Sequence, residues 1–188
     1  MKTIWKVTLL LGIAAILVLF ALGLNNDPRM IPSPLVNRPA PDFATTDLDG
    51  KPISLAEHRG KWVLVNFWGS WCSSCVSEHP YLLELARKTR SRSDFVILGV
   101  DFRDTEQGAK MFLARNGNPG YRHATDPEQK IAIDWGVYGA PESYLVDPTG
   151  RIRLKQTGPL YAGWFEQVAL PLLQESTTPT GTPQAGKP

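Results

Sequence analysis

From Trp62 to Phe67 the chain carries five apolar side chains and a single polar one, Asn66. A dense run of this kind, rich in β-branched and aromatic residues, predicts a strand buried on both faces. Phe95 to Val100 repeats the pattern. After the first run the spacing changes: Val76, Leu82, Leu83, Leu85 and Ala86 fall at helical intervals, which predicts a helix over Ser73 to Thr89. Pro80 lies inside it and should kink it. A second helix is predicted over Thr105 to Asn116, with Thr105 as its N-cap, and a short third over Gln129 to Trp135. Asp47-Leu48-Asp49-Gly50 reads as a turn between two short extended pieces. Ser143 to Val146 and Arg151 to Lys155 flank Asp147-Pro148-Thr149-Gly150 and read as an antiparallel hairpin. A last helix is predicted over Gly163 to Leu173, where Pro171 interrupts the backbone ladder of the final turn. Strand–helix–strand–helix order calls for parallel strands joined by crossovers, and the hairpin adds antiparallel ones. The predicted architecture is an α/β fold, a mixed sheet with helices on both faces.

The two ends of the chain differ from this middle. Val7 to Leu24 is an uncharged apolar run preceded by Lys2 and Lys6. As a helix it would be about 27 Å long, close to a hydrocarbon core of ~30 Å. It is longer than the ~7–15 residues usual in a cleaved signal peptide. A retained transmembrane anchor over residues 1–24 is therefore favoured over cleavage after a site resembling Ala21-Leu22-Gly23. Lys2 and Lys6 keep its start in the cytoplasm, so the rest of the chain is exported. Residues 25–36 are proline-rich and read as a linker. Residues 176–188 hold no large apolar side chain and read as a disordered tail. The folded domain is then 37–175.

Composition narrows the chemistry. Apolar residues make up 43% and charged residues 20%, enough for a core, and the net charge is only +2 with no basic block. Nucleic-acid binding has no electrostatic footprint. Two cysteines are too few for a disulfide-rich scaffold.

Those two cysteines, in Trp71-Cys72-Ser73-Ser74-Cys75, sit between a predicted strand and a predicted helix. This is the redox arrangement of Cys-x-x-Cys. At a helix N-terminus, free N–H groups and the macrodipole stabilise the Cys72 thiolate, the form that attacks a disulfide. Cys75 lies one turn on, on the same face, and can close onto Cys72. Cys72 is thus the candidate nucleophile and Cys75 the resolving thiol. A purely structural bridge is disfavoured, since closing so short a loop stabilises by only about 2 kcal/mol. Zinc needs three or four ligands, and His58, His79 and His123 show no ligand spacing, so no metal site is expected. Covalent haem attachment would place His after the second cysteine, where this chain has Val76. No cofactor is expected beyond the Cys72–Cys75 pair itself.

The run from Trp62 to Cys75, with Pro80 in the helix beyond it, resembles the active-site strand and helix of the thioredoxin superfamily. More narrowly the chain resembles the CcmG/DsbE-type membrane-anchored thiol:disulfide oxidoreductases of cytochrome c biogenesis. The resemblance is carried by Arg38-Pro39-Ala40-Pro41-Asp42-Phe43, Glu78-His79, Gly99-Val100-Asp101-Phe102 and above all Trp135-Gly136-Val137-Tyr138-Gly139-Ala140-Pro141-Glu142. It spans about three-quarters of the chain, Arg38 to Leu173, and implies a thioredoxin-like fold with a central inserted helical segment. It also implies a cis peptide at Ala140-Pro141 beside the disulfide, with a substrate rim of Trp71, Ser73, Ser74 and Ala140. Glu142 becomes a candidate acid/base, against the plain reading of an exposed strand-start acid. Glu78 points well away from Cys72 on a straight helix, so a solvated face competes with any role. Trp68 and Trp71 flank the site as contact surface or core. Two departures stand out. Ser73-Ser74 replaces the proline-first dipeptide common in the family, so the redox potential does not transfer. Asn66 occupies the position of the buried acid of ordinary thioredoxins and cannot titrate.

The resemblance implies a reductase in the periplasm, anchored in a bacterial inner membrane. Its client would be apocytochrome c before haem attachment, or a thiol relay partner, with electrons from a membrane donor of DsbD/CcdA type. A ResA- or TlpA-like reductase with other clients and a dithiol oxidant are the alternatives within this chemistry, and a non-catalytic partner-binding module the alternative outside it.

Overall fold

The computed structural model describes Lys6, Leu11–Ile13 and residues 34–175. The predicted anchor (1–24), most of the linker (25–36) and the tail (176–188) lie outside the described residues. Among those described, no helix is long and apolar enough to cross a membrane. The chain divides into two compact units after Pro32, and the second holds every element named below.

β1 (Ala44–Thr46) and β2 (Pro52–Ser54) form an antiparallel hairpin. Asp47 closes its turn, Oδ1 accepting from the amides of Asp49 at 3.0 Å and Lys51 at 2.8 Å. A 3₁₀ turn at Ala56–His58 leads into β3 (Trp62–Trp68), which is buried at all seven positions. Next along the chain come α1 (Ser73–Thr89), β4 (Phe95–Phe102), α2 (Glu106–Asn116), β5 (His123–Asp126), α3 (Lys130–Asp134), β6 (Glu142–Val146) and β7 (Ile152–Thr157). The last helix begins with a π-helical stretch, Phe165–Ala169, and continues as α4 (Leu170–Glu175).

The main sheet runs β5-β4-β3-β6-β7, with β3, β4 and β5 parallel and β6 and β7 antiparallel. Alternation along β3 divides the core. Val63, Val65 and Phe67 face one layer with Val100, Trp135 and Tyr144. Trp62 and Leu64 face the other, where Leu82 and Leu85 of α1 pack beside Trp164, Phe165 and Leu173 of the last helix. Helices therefore cover both faces, as the sequence pattern predicts.

Both sheet edges are occupied for part of their length. Thr45 Oγ1 donates to the Thr125 carbonyl and Thr125 Oγ1 to the Thr46 carbonyl, laying the β1–β2 hairpin along β5. On the far side Asn37 N donates to the Ile152 carbonyl at 2.7 Å, and Ile152 N donates to Arg38 O at 3.0 Å.

Three elements differ from the sequence reading. β5 has no sequence signal, because His123-Ala124-Thr125-Asp126 shows neither an apolar run nor alternation; its pairing to β4 creates it. Leu35 and Val36, which fall in the proline-rich linker, pack against the core, since two apolar side chains are buried more favourably than left in water. The last helix runs two residues past Leu173. The π-helical stretch passes into α4 without a break, so Pro171 lies inside a continuous helix and leaves one N–H out of its ladder, as the sequence predicts.

Candidate active site

β3 brings the chain to the site and α1 carries it away. Trp68, at the end of β3, is buried against Phe112 and His123, with ring centroids 5.0 and 5.2 Å apart. The turn at Gly69-Ser70-Trp71 is held from the opposite side by the segment between β4 and α2. Asp104 accepts from the amide and the hydroxyl of Ser70, and Trp71 Nε1 donates to the Phe102 carbonyl at 3.3 Å. The two tryptophans thus separate: Trp68 is core, whereas Trp71 is 49% exposed on the rim. Asp101 is buried close to Asp104, and desolvation with that neighbouring charge pushes its carboxyl up to about 8.

Cys72 is the N-cap of α1, and its Sγ accepts from the Cys75 amide at 3.0 Å. This is the anion-stabilising geometry that its place at the helix start predicts. The two cysteines are joined in a disulfide and packed with Leu48, Trp68, Ala109, Phe112 and Leu113, with Ala140 against them. Ser73 and Ser74 are exposed. The Ala140–Pro141 peptide is cis, as the resemblance implies, and Pro141 is buried.

Behind Cys75 lies a cavity of about 10 Å³, lined among others by Asn66, Trp68, Glu78, Phe112 and His123. That volume suits a single water. Glu78 is 1% exposed, which overturns the solvated-face reading. Its Oε1 accepts from Asn66 Nδ2 at 2.7 Å, and its Oε2 accepts from the Leu160 amide at 2.8 Å. Burial pushes the carboxyl up to about 7, with the two hydrogen bonds partly opposing the rise. Asn66 also donates to Ser143 Oγ at 3.0 Å. The residue at the usual acid position is thus the donor that holds an acid contributed by α1. A carboxyl poised near neutrality in the same cavity as Cys75 can take that thiol's proton.

Glu142 is placed differently from either expectation. It is 1% exposed, not an exposed strand-start acid, and pairs with Lys155 Nζ at 2.8 Å. On β6 it neighbours Ser143, whose hydroxyl meets Asn66 on the α1 side, so alternation turns Glu142 to the other face. The acid that shares a cavity with Cys75 is Glu78.

His123 enters the sequence reading only among possible metal ligands. Burial pulls it down to about 3, so it is neutral, and neither ring nitrogen has a protein partner. Gly99 makes room for it: a Cβ there would overlap His123 Nδ1 and come within 3.0 Å of Trp68 Nε1. Gly99→Ala is therefore expected to destabilise the domain by about 2 kcal/mol, the range of overpacked cores, as urea unfolding would measure.

Comparison with known proteins agrees with this geometry. Residues 36–155 match the AhpC/TSA family. The thiol:disulfide interchange protein DsbE of Allochromatium vinosum is 43% identical over 157 residues, 82% of this chain and 84% of that one. The DsbE protein of Pseudomonas aeruginosa is 39% identical over 169 residues, 88% and 91% of the two chains. The thioredoxin domain of a thiol-disulfide oxidoreductase from Bacteroides vulgatus superposes with a TM-score of 0.60 at 29% identity, covering 65% of this chain and 89% of that one. With the strand–Cys-x-x-Cys–helix geometry, these likenesses settle the family: the chain belongs to the AhpC/TSA family, with the DsbE thiol:disulfide interchange proteins, and is a thiol:disulfide oxidoreductase of thioredoxin-like fold.

Proposed function

We propose that this chain acts as a reductase in the periplasm, anchored in the inner membrane by residues 1–24, on the disulfide of apocytochrome c before haem attachment. The observation that carries the exchange chemistry is Glu78, a buried carboxyl raised to about 7 that lines the same cavity as Cys75. The Cys72 thiolate attacks one sulfur of the client disulfide. That S–S bond breaks as the Cys72–client bond forms, and the client's second sulfur leaves as a thiolate that takes a proton from water. Cys75 then gives its proton to Glu78 and attacks Cys72 Sγ; the Cys72–client bond breaks as the Cys72–Cys75 bond forms, and the client sulfur leaves as a thiolate that takes a proton from water. The client departs with both thiols reduced, and the Cys72–Cys75 disulfide holds the two-electron oxidation. A membrane donor of DsbD/CcdA type returns the pair to the dithiol, since an oxidising compartment does not. Tethering supports the reading because it raises the local concentration of membrane-bound partners. The segment from Gly136 to Ala140, which ends at the cis Pro141, and the exposed residues Trp71, Ser73 and Ser74 supply the rim on which the client lies.

Cys75→Ala tests the client directly. The variant is expected to stall as a Cys72 mixed disulfide with an oxidised Cys-x-x-Cys-His peptide, visible by mass spectrometry under non-reducing conditions. No adduct with that peptide, alongside adducts with other disulfides, would refute the cytochrome assignment.

A further inference from the structure

Lys155 stands on β7, and its surroundings are uncommon for a lysine. Its side chain is only 7% exposed, whereas lysines are rarely buried unless paired. Nζ forms the 2.8 Å ion pair with Glu142, donates to the Gly136 carbonyl at 3.1 Å and lies 4.4 Å from the centre of the Tyr138 ring. These three partners mark the start, the middle and the end of one segment, Gly136 to Glu142. The segment's backbone ties fall near its two ends: Val137 N donates to Ala132 O at 2.8 Å, and Gly158 N donates to Pro141 O at 3.0 Å. Between them Ala140 packs against the cluster that contains Cys72 and Cys75.

We propose that Lys155 is a positioning residue: its ammonium fixes the Gly136–Glu142 segment against the cysteine pair and so shapes the rim on which a peptide disulfide docks. An ammonium has three donors and no acceptor, and here it meets a carboxylate, a carbonyl and an aromatic face at once. A neutral side chain leaves the buried Glu142 charge and the Gly136 carbonyl without this partner. The segment then gains alternative placements, and a client must order it on binding. That cost falls on affinity. Cys72, Cys75 and Glu78 are carried by a different element, α1, so the sulfur chemistry itself is spared.

The inference rests on the peptide-reductase reading above, and its test uses the full chain on two substrates: an oxidised Cys-x-x-Cys peptide and a small aromatic disulfide. With Lys155→Met, KM for the peptide is expected to rise about tenfold while kcat stays within about twofold, and turnover of the small disulfide is unchanged. Lys155→Arg keeps the cation and should recover most of the peptide KM. Circular dichroism reports whether each variant is folded. If Lys155→Met does not fold, the double variant Lys155→Met/Glu142→Gln, which removes both buried charges, carries the same expectation. An unchanged peptide KM, or equal losses on both substrates, would overturn the inference and leave the reductase reading standing. A wild-type protein that turns over the small disulfide but not the peptide would overturn both.

Discussion

Cys72→Ser is expected to lower disulfide reduction by at least about a thousandfold, to the uncatalysed background, because a hydroxyl cannot replace the thiolate as attacking nucleophile. The assay is reduction of a peptide disulfide by the pre-reduced full chain. The fold should survive, since Cys72 and Cys75 pack in an apolar cluster that a serine disturbs little in volume. Cys75→Ser separates the two thiols: it keeps the first attack and blocks release, so one equivalent of client is captured and none is turned over. Residual multiple turnover in Cys72→Ser would mean that the thiols had been given the wrong order.

The second large effect is on stability. Glu78 has its folded value raised from 4.5 to about 7 by burial. A carboxyl shifted upward binds its proton more tightly in the folded state. Its contribution is therefore fully present below pH about 4.5 and is lost as pH rises through about 7, a loss of about 3 kcal/mol by pH 8.5. Asp101, raised to about 8, acts with the same sign over a window that extends further. Asp47 and Asp147 are shifted downward, Asp47 held by the Lys51 amide and Arg122 and Asp147 by the Thr149 hydroxyl and the Arg151 amide, so they cost stability only as pH falls below about 4. His123, pulled down to about 3, and His58, pulled down by burial, act with the opposite sign, since only their unfolded forms take up a proton below about 6.5. Urea unfolding of the oxidised protein should thus show a net fall in stability between pH 5 and 8.5 that is concentrated above about 6.5, where the histidines no longer offset the carboxyls. In Glu78→Gln the decline should shrink by most of Glu78's share and keep that of Asp101. A decline as steep in the variant as in the wild type would show that Glu78 is not the group titrating.

The elements that local pattern controls were legible. The boundaries of α1 and α2 and the capping by Thr105 follow from helical spacing and side-chain chemistry, and Thr105 Oγ1 does accept from the Gly108 amide at 3.0 Å. The cysteine pair announced itself because its place between strand and helix is a local fact. What escaped is set by contacts distant in sequence. Glu78 looks like a surface acid until the Leu160 amide, 82 residues away, and Asn66 on β3 enclose it. Glu142 and Lys155 look like ordinary charges on a strand until their ion pair is folded inside. β5 has no pattern of its own and depends on β4 and the β1–β2 hairpin. A Gly at position 99 in a buried strand was the available signal that something bulky, His123, comes close to the backbone there.

The partly covered edges of the sheet bear on pairing with other chains. An open edge is a template for another strand, and an unfolded client is a supply of strands. Here the β1–β2 hairpin lies along β5, while the chain entering at Asn37 and Arg38 pairs with the start of β7, whose next residue is the charged Arg153. A sheet flanked in this way offers little free edge on which another chain could add a strand.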